Sequence, residues 1–186
     1  MRIVSGKYRG KKLKEFELET TKPTLDRVKE SIFNLIQFDV QDAVVLDLFA
    51  GTGALGIEAI SRGASKVFLV DSNKNAIKII NENLKGIEGD FEVYNKDYLK
   101  FLEEITAKFD IVLLDPPYNT DYGVDAIKML IKKNLMSDNS IIIFETSLDK
   151  DVELDFKEFN IVKKHYGTVA VYKMERVWNI LKLKMK

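Results

Sequence analysis

The sequence predicts an α/β fold, a parallel sheet covered by helices and closed by a hairpin. Three observations predict it. From Ala43 onward short β-rich runs alternate with helical periods. The apolar run Val44-Val45-Leu46-Asp47-Leu48 feeds a glycine turn, Gly51-Thr52-Gly53. A second apolar run, Ile111-Val112-Leu113-Leu114, stops at Asp115-Pro116-Pro117-Tyr118, where proline removes a ladder donor and ends the strand.

Residues 1–42 precede this alternation and read as a basic arm followed by a first helix. Ile3 to Leu13 is basic, contains Gly6 and Gly10, and is either a small hairpin or a mobile arm extending from the body. Lys22-Pro23-Thr24 leads into a helix that places Val28, Ile32, Leu35 and Ile36 on one face. The core, residues 43–173, holds strands at Ala43 to Leu48, Lys66 to Val70, Phe91 to Tyr94, Phe109 to Leu114 and Ser140 to Glu145. Helices fall between them: Ala54 to Ser61, then one with Ile77, Ile80, Leu84 and Ile87 on a face, and one after Tyr122 carrying Val124, Ile127 and Ile131. Phe159 to Lys163 and Thr168 to Tyr172 form an antiparallel hairpin through Tyr166-Gly167, which brings the strands to seven. A basic tail, residues 174–186, completes a single domain.

Composition narrows the function. With 46% hydrophobic and 31% charged residues over 186 positions, and no apolar run near the ~18 residues of a membrane span, a soluble globular protein is expected. Met1-Arg2-Ile3-Val4-Ser5-Gly6 lacks a signal-peptide core, so a cytoplasmic location without membrane association is expected. Zero cysteines exclude disulfides, thiolate metal sites and a cysteine nucleophile, and a lone His165 argues against a metal cluster. The net charge of zero hides two basic ends on an acidic body. Residues 1–14 carry six basic side chains and no acid, an arrangement suited to a polyanion. Lys7, Tyr8, Arg9, Lys11 and Lys12 are the candidate contacts.

The glycine turn has the strand-before, helix-after context that gives such a motif meaning. Glycine lets a ligand approach the main chain, and Asp71, 20 residues after Gly51, ends the next strand where a carboxylate can accept ribose hydroxyls. A nicotinamide enzyme shares that outline. Asp47 decides between them, because an acid on the incoming strand repels a pyrophosphate but suits the sulfonium and ammonium of S-adenosylmethionine. The candidate cofactor residues are Asp47, Phe49, Ala50, Gly51, Thr52, Gly53, Asp71 and Asp97. Asp97 is read both as an acceptor for the adenine amine and as a helix N-cap, and Asp47 alternatively caps its helix.

Asp115, Pro116, Pro117 and Tyr118 are the candidate catalytic residues. If Asp115 and the Pro116 carbonyl accept the two hydrogens of an exocyclic base amine, its lone pair can point at the sulfonium methyl. Tyr118 stacks on the base, and alignment supplies the remaining catalysis. No metal and no covalent intermediate is needed.

With these residues in place, the chain resembles the class I S-adenosylmethionine-dependent methyltransferases, and more narrowly the 16S ribosomal RNA guanine-N2 methyltransferases of the RsmD type. The likeness runs over residues 1–172 and includes Arg2-Ile3-Val4-Ser5-Gly6-Lys7-Tyr8-Arg9-Gly10, Pro23-Thr24-Leu25-Asp26-Arg27-Val28, Leu46 to Ala59, Asp115-Pro116-Pro117-Tyr118 and Tyr166-Gly167. It implies a Rossmann-like seven-stranded sheet with a reversed final strand, and methyl transfer to N2 of one guanine in the 16S rRNA of an assembled or assembling small subunit. A monomer is expected. It also implies that Thr24, Asp26 and Arg27 lie beside the methionine end of the cofactor, although Asp26 reads equally as a helix-start acid. Asp71 stands where many relatives have glutamate. The tail, with Val177, Trp178, Ile180, Leu181 and Leu183, follows no family pattern and reads as an amphipathic helix, an RNA contact or a lineage-specific end.

The tetrapeptide alone also admits adenine in DNA or a glutamine amide as acceptor. A dehydrogenase leaves it without a role. A non-catalytic RNA-binding module with a retained pocket leaves the acids at 47, 71 and 115 unexplained.

Overall fold

The computed structural model describes residues 1–16, 23–118, 120–149, 152 and 154–177, and the side chains of residues 23–25 lie outside that description. Seven strands form one sheet: β1 (Val44–Asp47), β2 (Lys66–Asp71), β3 (Phe91–Asn95), β4 (Phe109–Leu114), β5 (Met136–Ser147), β6 (Phe159–Tyr166) and β7 (Val169–Arg176). Their order is β3-β2-β1-β4-β5-β7-β6, with β7 antiparallel to both neighbours and all other pairs parallel. The predicted Rossmann-like sheet is the one observed.

Helices cover both faces because the central strands are apolar in both directions. Val45, Val67, Leu69, Ile111 and Leu113 point to a core shared with α1 (Pro23–Leu35), α2 (Ala54–Ser61) and α3 (Lys74–Asn83). Leu46, Phe68, Val70, Val112 and Leu114 point the other way, onto α4 (Tyr98–Glu104) and α5 (Tyr122–Lys132). Period-2 alternation within each strand therefore feeds two separate cores. Proline at the first position of α1 suits its fixed φ and missing donor. On α5 the buried face centres on Ala126, Ile127 and Leu130, with Val124 and Ile131 partly buried at its flanks.

Three strand ends run beyond their apolar signal. β5 starts at Met136 rather than Ser140, since Met136 pairs with Phe109 across an irregularity that the polar stretch Ser137-Asp138-Asn139 conceals in the sequence. In the β6–β7 hairpin the turn is Gly167-Thr168, with Tyr166 opposite Val169. Pairing continues through Lys163, Lys164 and His165 on one side and Lys173 to Arg176 on the other, because backbone ladders tolerate a polar exposed face. β7 thus takes in Met174, Glu175 and Arg176 from the expected tail, and the tail residues from Trp178 onward lie outside the described residues.

The amino-terminal arm does not extend from the body, as one sequence reading had it, but folds back on it. Arg2 and Lys12 make an antiparallel bridge, and Ile3 and Leu13 are buried in the core beneath α1 and α2. Glu58 of α2, with no exposed surface, accepts from the amides of Val4 (2.8 Å) and Ser5 (3.0 Å), from Arg62 Nε (2.8 Å) and from Lys29 Nζ (3.2 Å). Gly6, at φ 82°, lies so close to the Ser61 carbonyl that a Cβ would overlap it at 1.8 Å. Two buried apolar residues and one buried carboxylate convert a basic segment into a docked element.

Candidate active site

β1 and β4 are neighbours, yet the chain leaves β1 toward β2 and β4 toward β5. That reversal opens a crevice beyond their carboxyl ends. A cavity of about 940 Å³ fills it. Its wall takes Asp47, Phe49, Ala50, Gly51 and Thr52 from the loop after β1, Asp71 from the end of β2, Asp97 from the loop after β3, and Asp115, Pro116, Pro117 and Tyr118 after β4. Residues up to 71 positions apart in the chain are thus gathered at one sheet edge.

The glycine loop is held from behind. Gly51 N donates to Asp71 Oδ2 (2.8 Å), while Asn73 N donates to Asp71 Oδ1 (2.7 Å). Asn83 Nδ2 ties the Thr52 carbonyl to α3 (2.9 Å) and also reaches the Lys14 carbonyl of the arm (3.1 Å). Gly51 sits at φ 54° with no atom within 4 Å of a built Cβ, so its missing side chain leaves room for a ligand. Gly53, at φ 79°, is the N-cap of α2 and does not line the cavity, and its absent Cβ admits Ile57, Leu69 and Ile80.

Asp47 is 1% exposed. Its Oδ2 accepts from Gly56 N (2.8 Å), and its Oδ1 is buried with no hydrogen-bond partner among the described residues. Burial pushes this acid up to about 7; the Gly56 amide pulls it down and the nearby Asp71 charge pushes it up. A buried carboxylate oxygen without a donor, on a residue that lines the cavity, fits a cationic ligand. Because the folded pKa lies above the ordinary aspartate value of 3.8, this group's contribution to stability is complete below about 3.8 and is lost as pH rises through about 7. Asp47→Asn should remove that loss: relative to the variant, the wild type should weaken by up to about 4 kcal/mol between pH 4 and pH 8. Urea unfolding at the two pH values measures it, and equal pH slopes would show that Asp47 is already ionised in the fold.

Asp97 caps α4, with Oδ1 accepting from Leu99 N (3.1 Å) and Lys100 N (3.2 Å). The capping reading therefore holds, and Asp97 also lines the cavity. Arg27 lies on the exposed side of α1, outside the cavity wall, and the Thr24 side chain lies outside the described residues. Asp26 accepts weakly from Arg2 N (3.4 Å).

Asp115 and Tyr118 are exposed at the cavity mouth, and Pro116 is buried. Tyr118 donates its hydroxyl to Glu145 Oε1 (2.9 Å). Burial, then the charges of Glu145 and Asp115, push the Tyr118 phenol up, so it stays a donor. Glu145, 6% exposed, is itself raised by burial and lowered by the Tyr118 bond. Sequence reasoning passed over Glu145, although an acid ending Ile141-Ile142-Ile143-Phe144 is the same signal that marked Asp47 and Asp115. It also missed Tyr98 and Tyr122, whose rings continue a wall from Phe49 at 5.1 Å centroid spacings, and Glu15 and Phe16 of the arm. Those residues carry no local signal, since only the fold brings them to the crevice.

A cavity at the carboxyl edge of a Rossmann-like sheet, lined by Asp47, the glycine loop, Asp71 and the Asp115-Pro116-Pro117-Tyr118 turn, is the layout of a Rossmann-like methyltransferase, and the protein is of that class. It belongs to the RsmD family: the family model described as "Conserved hypothetical protein 95" matches residues 1–175. The chain is 34% identical over 179 residues to the ribosomal RNA small subunit methyltransferase D of Haemophilus influenzae, which covers 94% of this chain and 92% of the relative. The solved structure of yhhF, a candidate methyltransferase of Escherichia coli, superimposes with a TM-score of 0.85 at 30% identity, over 95% of this chain and 97% of that one. A candidate protein N5-glutamine methyltransferase of Methanocaldococcus jannaschii is 36% identical over 80 residues, 43% of this chain and 39% of the relative.

Proposed function

We propose that the protein methylates the exocyclic N2 of a guanine in 16S ribosomal RNA, using S-adenosylmethionine and no metal. The observation that carries this reading is the placement of Asp115 and Pro116 on the same cavity wall as the glycine loop and Asp71, in a chain alike over nearly its full length to a ribosomal RNA small subunit methyltransferase. Ribosomal RNA in the assembled or assembling small subunit is the partner, with the enzyme acting as a cytoplasmic monomer.

The bound cofactor would supply an electrophilic methyl group on a positively charged sulfur. Asp47 offers its bare oxygen to the positive end of that ligand, Asp71 the remaining lone pairs of its carboxylate to the ribose, and Asp97 Oδ2 an acceptor to the adenine amine. Thr24 and Arg27, at the start of α1, would meet the methionine end once the site is filled. Asp115 and the Pro116 carbonyl take the two hydrogens of the base amine and turn its lone pair inward; Pro117 stiffens the turn, and Tyr118 holds the base by its face. Transfer of that methyl group would leave the C–S bonding pair on the departing sulfur and the acceptor nitrogen cationic. Such a nitrogen is strongly acidic, so Asp115 is base enough to take its proton.

The arm's cations divide. Lys7 pairs with Glu88 (2.7 Å) and Lys11 reaches the Lys85 carbonyl, while Tyr8 hydrogen-bonds the Glu88 backbone. Arg9 and Lys12 are exposed and make no side-chain ion pair or hydrogen bond among the described residues. Replacing Arg9 and Lys12 with alanine should lower the salt slope of RNA binding by about 2, more than the same change at Lys7 and Lys11. Equal effects from the two pairs would show that the existing contacts do not occupy Lys7 and Lys11.

The test is incubation with methyl-labelled S-adenosylmethionine and small subunits from cells lacking such an enzyme, with naked RNA and DNA in parallel. Label in N2-methylguanosine from subunits is expected. Label in methyladenine from DNA, or in protein, would overturn the acceptor.

A further inference from the structure

We propose that Glu145 reads the N1–H of the acceptor guanine and so selects guanine over adenine. This rests on the guanine-N2 reading above and adds the residue that enforces it. The Asp-Pro-Pro-Tyr turn cannot discriminate, because adenine and a glutamine amide present the same planar amine.

What distinguishes guanine is the neighbour of that amine. Beside N2 it carries N1–H, a second donor on the same edge, whereas the ring atom next to the adenine amine is N1, an acceptor. A site selective for guanine therefore needs a second acceptor adjacent to the first. The register of the sheet supplies it. Leu114, the last residue of β4, is paired with Phe144 of β5 in a parallel ladder whose strands lie about 4.8 Å apart, and Asp115 and Glu145 are the residues that follow this pair. Both line the same cavity, and both charges act on the Tyr118 phenol.

Glu145 is built to accept more than it receives. It is buried on the cavity wall, and Tyr118 is its one side-chain hydrogen-bond donor among the described residues. A carboxylate taken out of water needs several donors to stay ionised, and burial already disfavours its charge. The Tyr118 hydroxyl fixes one oxygen, and a base stacked on the Tyr118 ring with its amine on Asp115 would offer N1–H to the other. Adenine in that pose would set a lone pair against a carboxylate, leaving both unpaired, which sites of this kind reject strongly.

Two variants test this, because the alternative role, merely holding Tyr118, predicts the opposite order. Glu145→Gln keeps an oxygen for the Tyr118 hydroxyl but turns an amide donor toward N1–H. Glu145→Asp keeps the carboxylate but shortens it. With subunits and labelled cofactor, kcat/KM for guanosine labelling should fall roughly 100-fold in Glu145→Gln and about tenfold or less in Glu145→Asp. Melting temperature and cofactor affinity near wild type would place the loss on the acceptor side. Glu145→Gln within threefold of wild type, or below Glu145→Asp in its loss, overturns the proposal. Failure of the parent reading looks different: the wild-type enzyme itself would then put its label in something other than guanosine.

Discussion

Asp115→Ala should lower the rate of methyl transfer by about 10³-fold while leaving affinity for S-adenosylmethionine within roughly threefold of wild type. The asymmetry follows from where the side chain stands. Asp115 is exposed on the cavity wall just after β4, whereas Asp71 ends β2 and Asp97 follows β3, on the other side of β1. In the proposed role its carboxylate would act on charge that develops on the amine during transfer, an interaction absent in the cofactor complex. Single-turnover rates at saturating cofactor, together with calorimetric cofactor binding, measure the two quantities separately. Parallel loss of both would assign Asp115 to the cofactor instead of the acceptor.

Glu58→Ala should destabilise the fold by about 3–5 kcal/mol, a larger effect than truncating any surface acid. Among the described residues Glu58 is the one carboxylate bonded to Lys29, 3% exposed, and it also satisfies two arm amides and Arg62. Burial pulls the Lys29 amine down and Glu58 holds it up, so removing the acid leaves a buried cation with only the Arg2 carbonyl. For a chain of this size the melting temperature should fall by about 10 °C. Hydrogen exchange at the Val4 and Ser5 amides should rise with it, because those donors lose their acceptors. A drop below 2 °C with protected amides would mean that Ile3 and Leu13 alone seat the arm.

Much of the site was legible because its residues announce themselves locally. Asp47, Asp71 and Asp115 each close an apolar strand, and a charge at the end of a buried strand has few structural uses. Gly51 and Gly53 stand between such a strand and a buried helix, where only a turn fits. Glu145 shows how far that logic reaches: it follows an apolar run as they do, but β5 continues through it to Ser147 and no second motif stands beside it. Tyr98 and Tyr122 were beyond reach, since their role depends on α4 and α5 packing side by side.

The sequence by itself determined the α/β class, the succession of strands and helices along the chain, and the glycine turn between β1 and α2, because strand period, helix period and turn chemistry are properties of contiguous residues. Tertiary structure alone decided three things: that the basic arm is docked on Glu58, that Tyr118 is anchored by Glu145, and that Asp47 keeps one buried oxygen bare. Each joins groups at least nine residues apart through burial. Desolvation, which sets the value of a charge or a hydrogen bond, is a property of the packed environment and is written in no local segment of the chain.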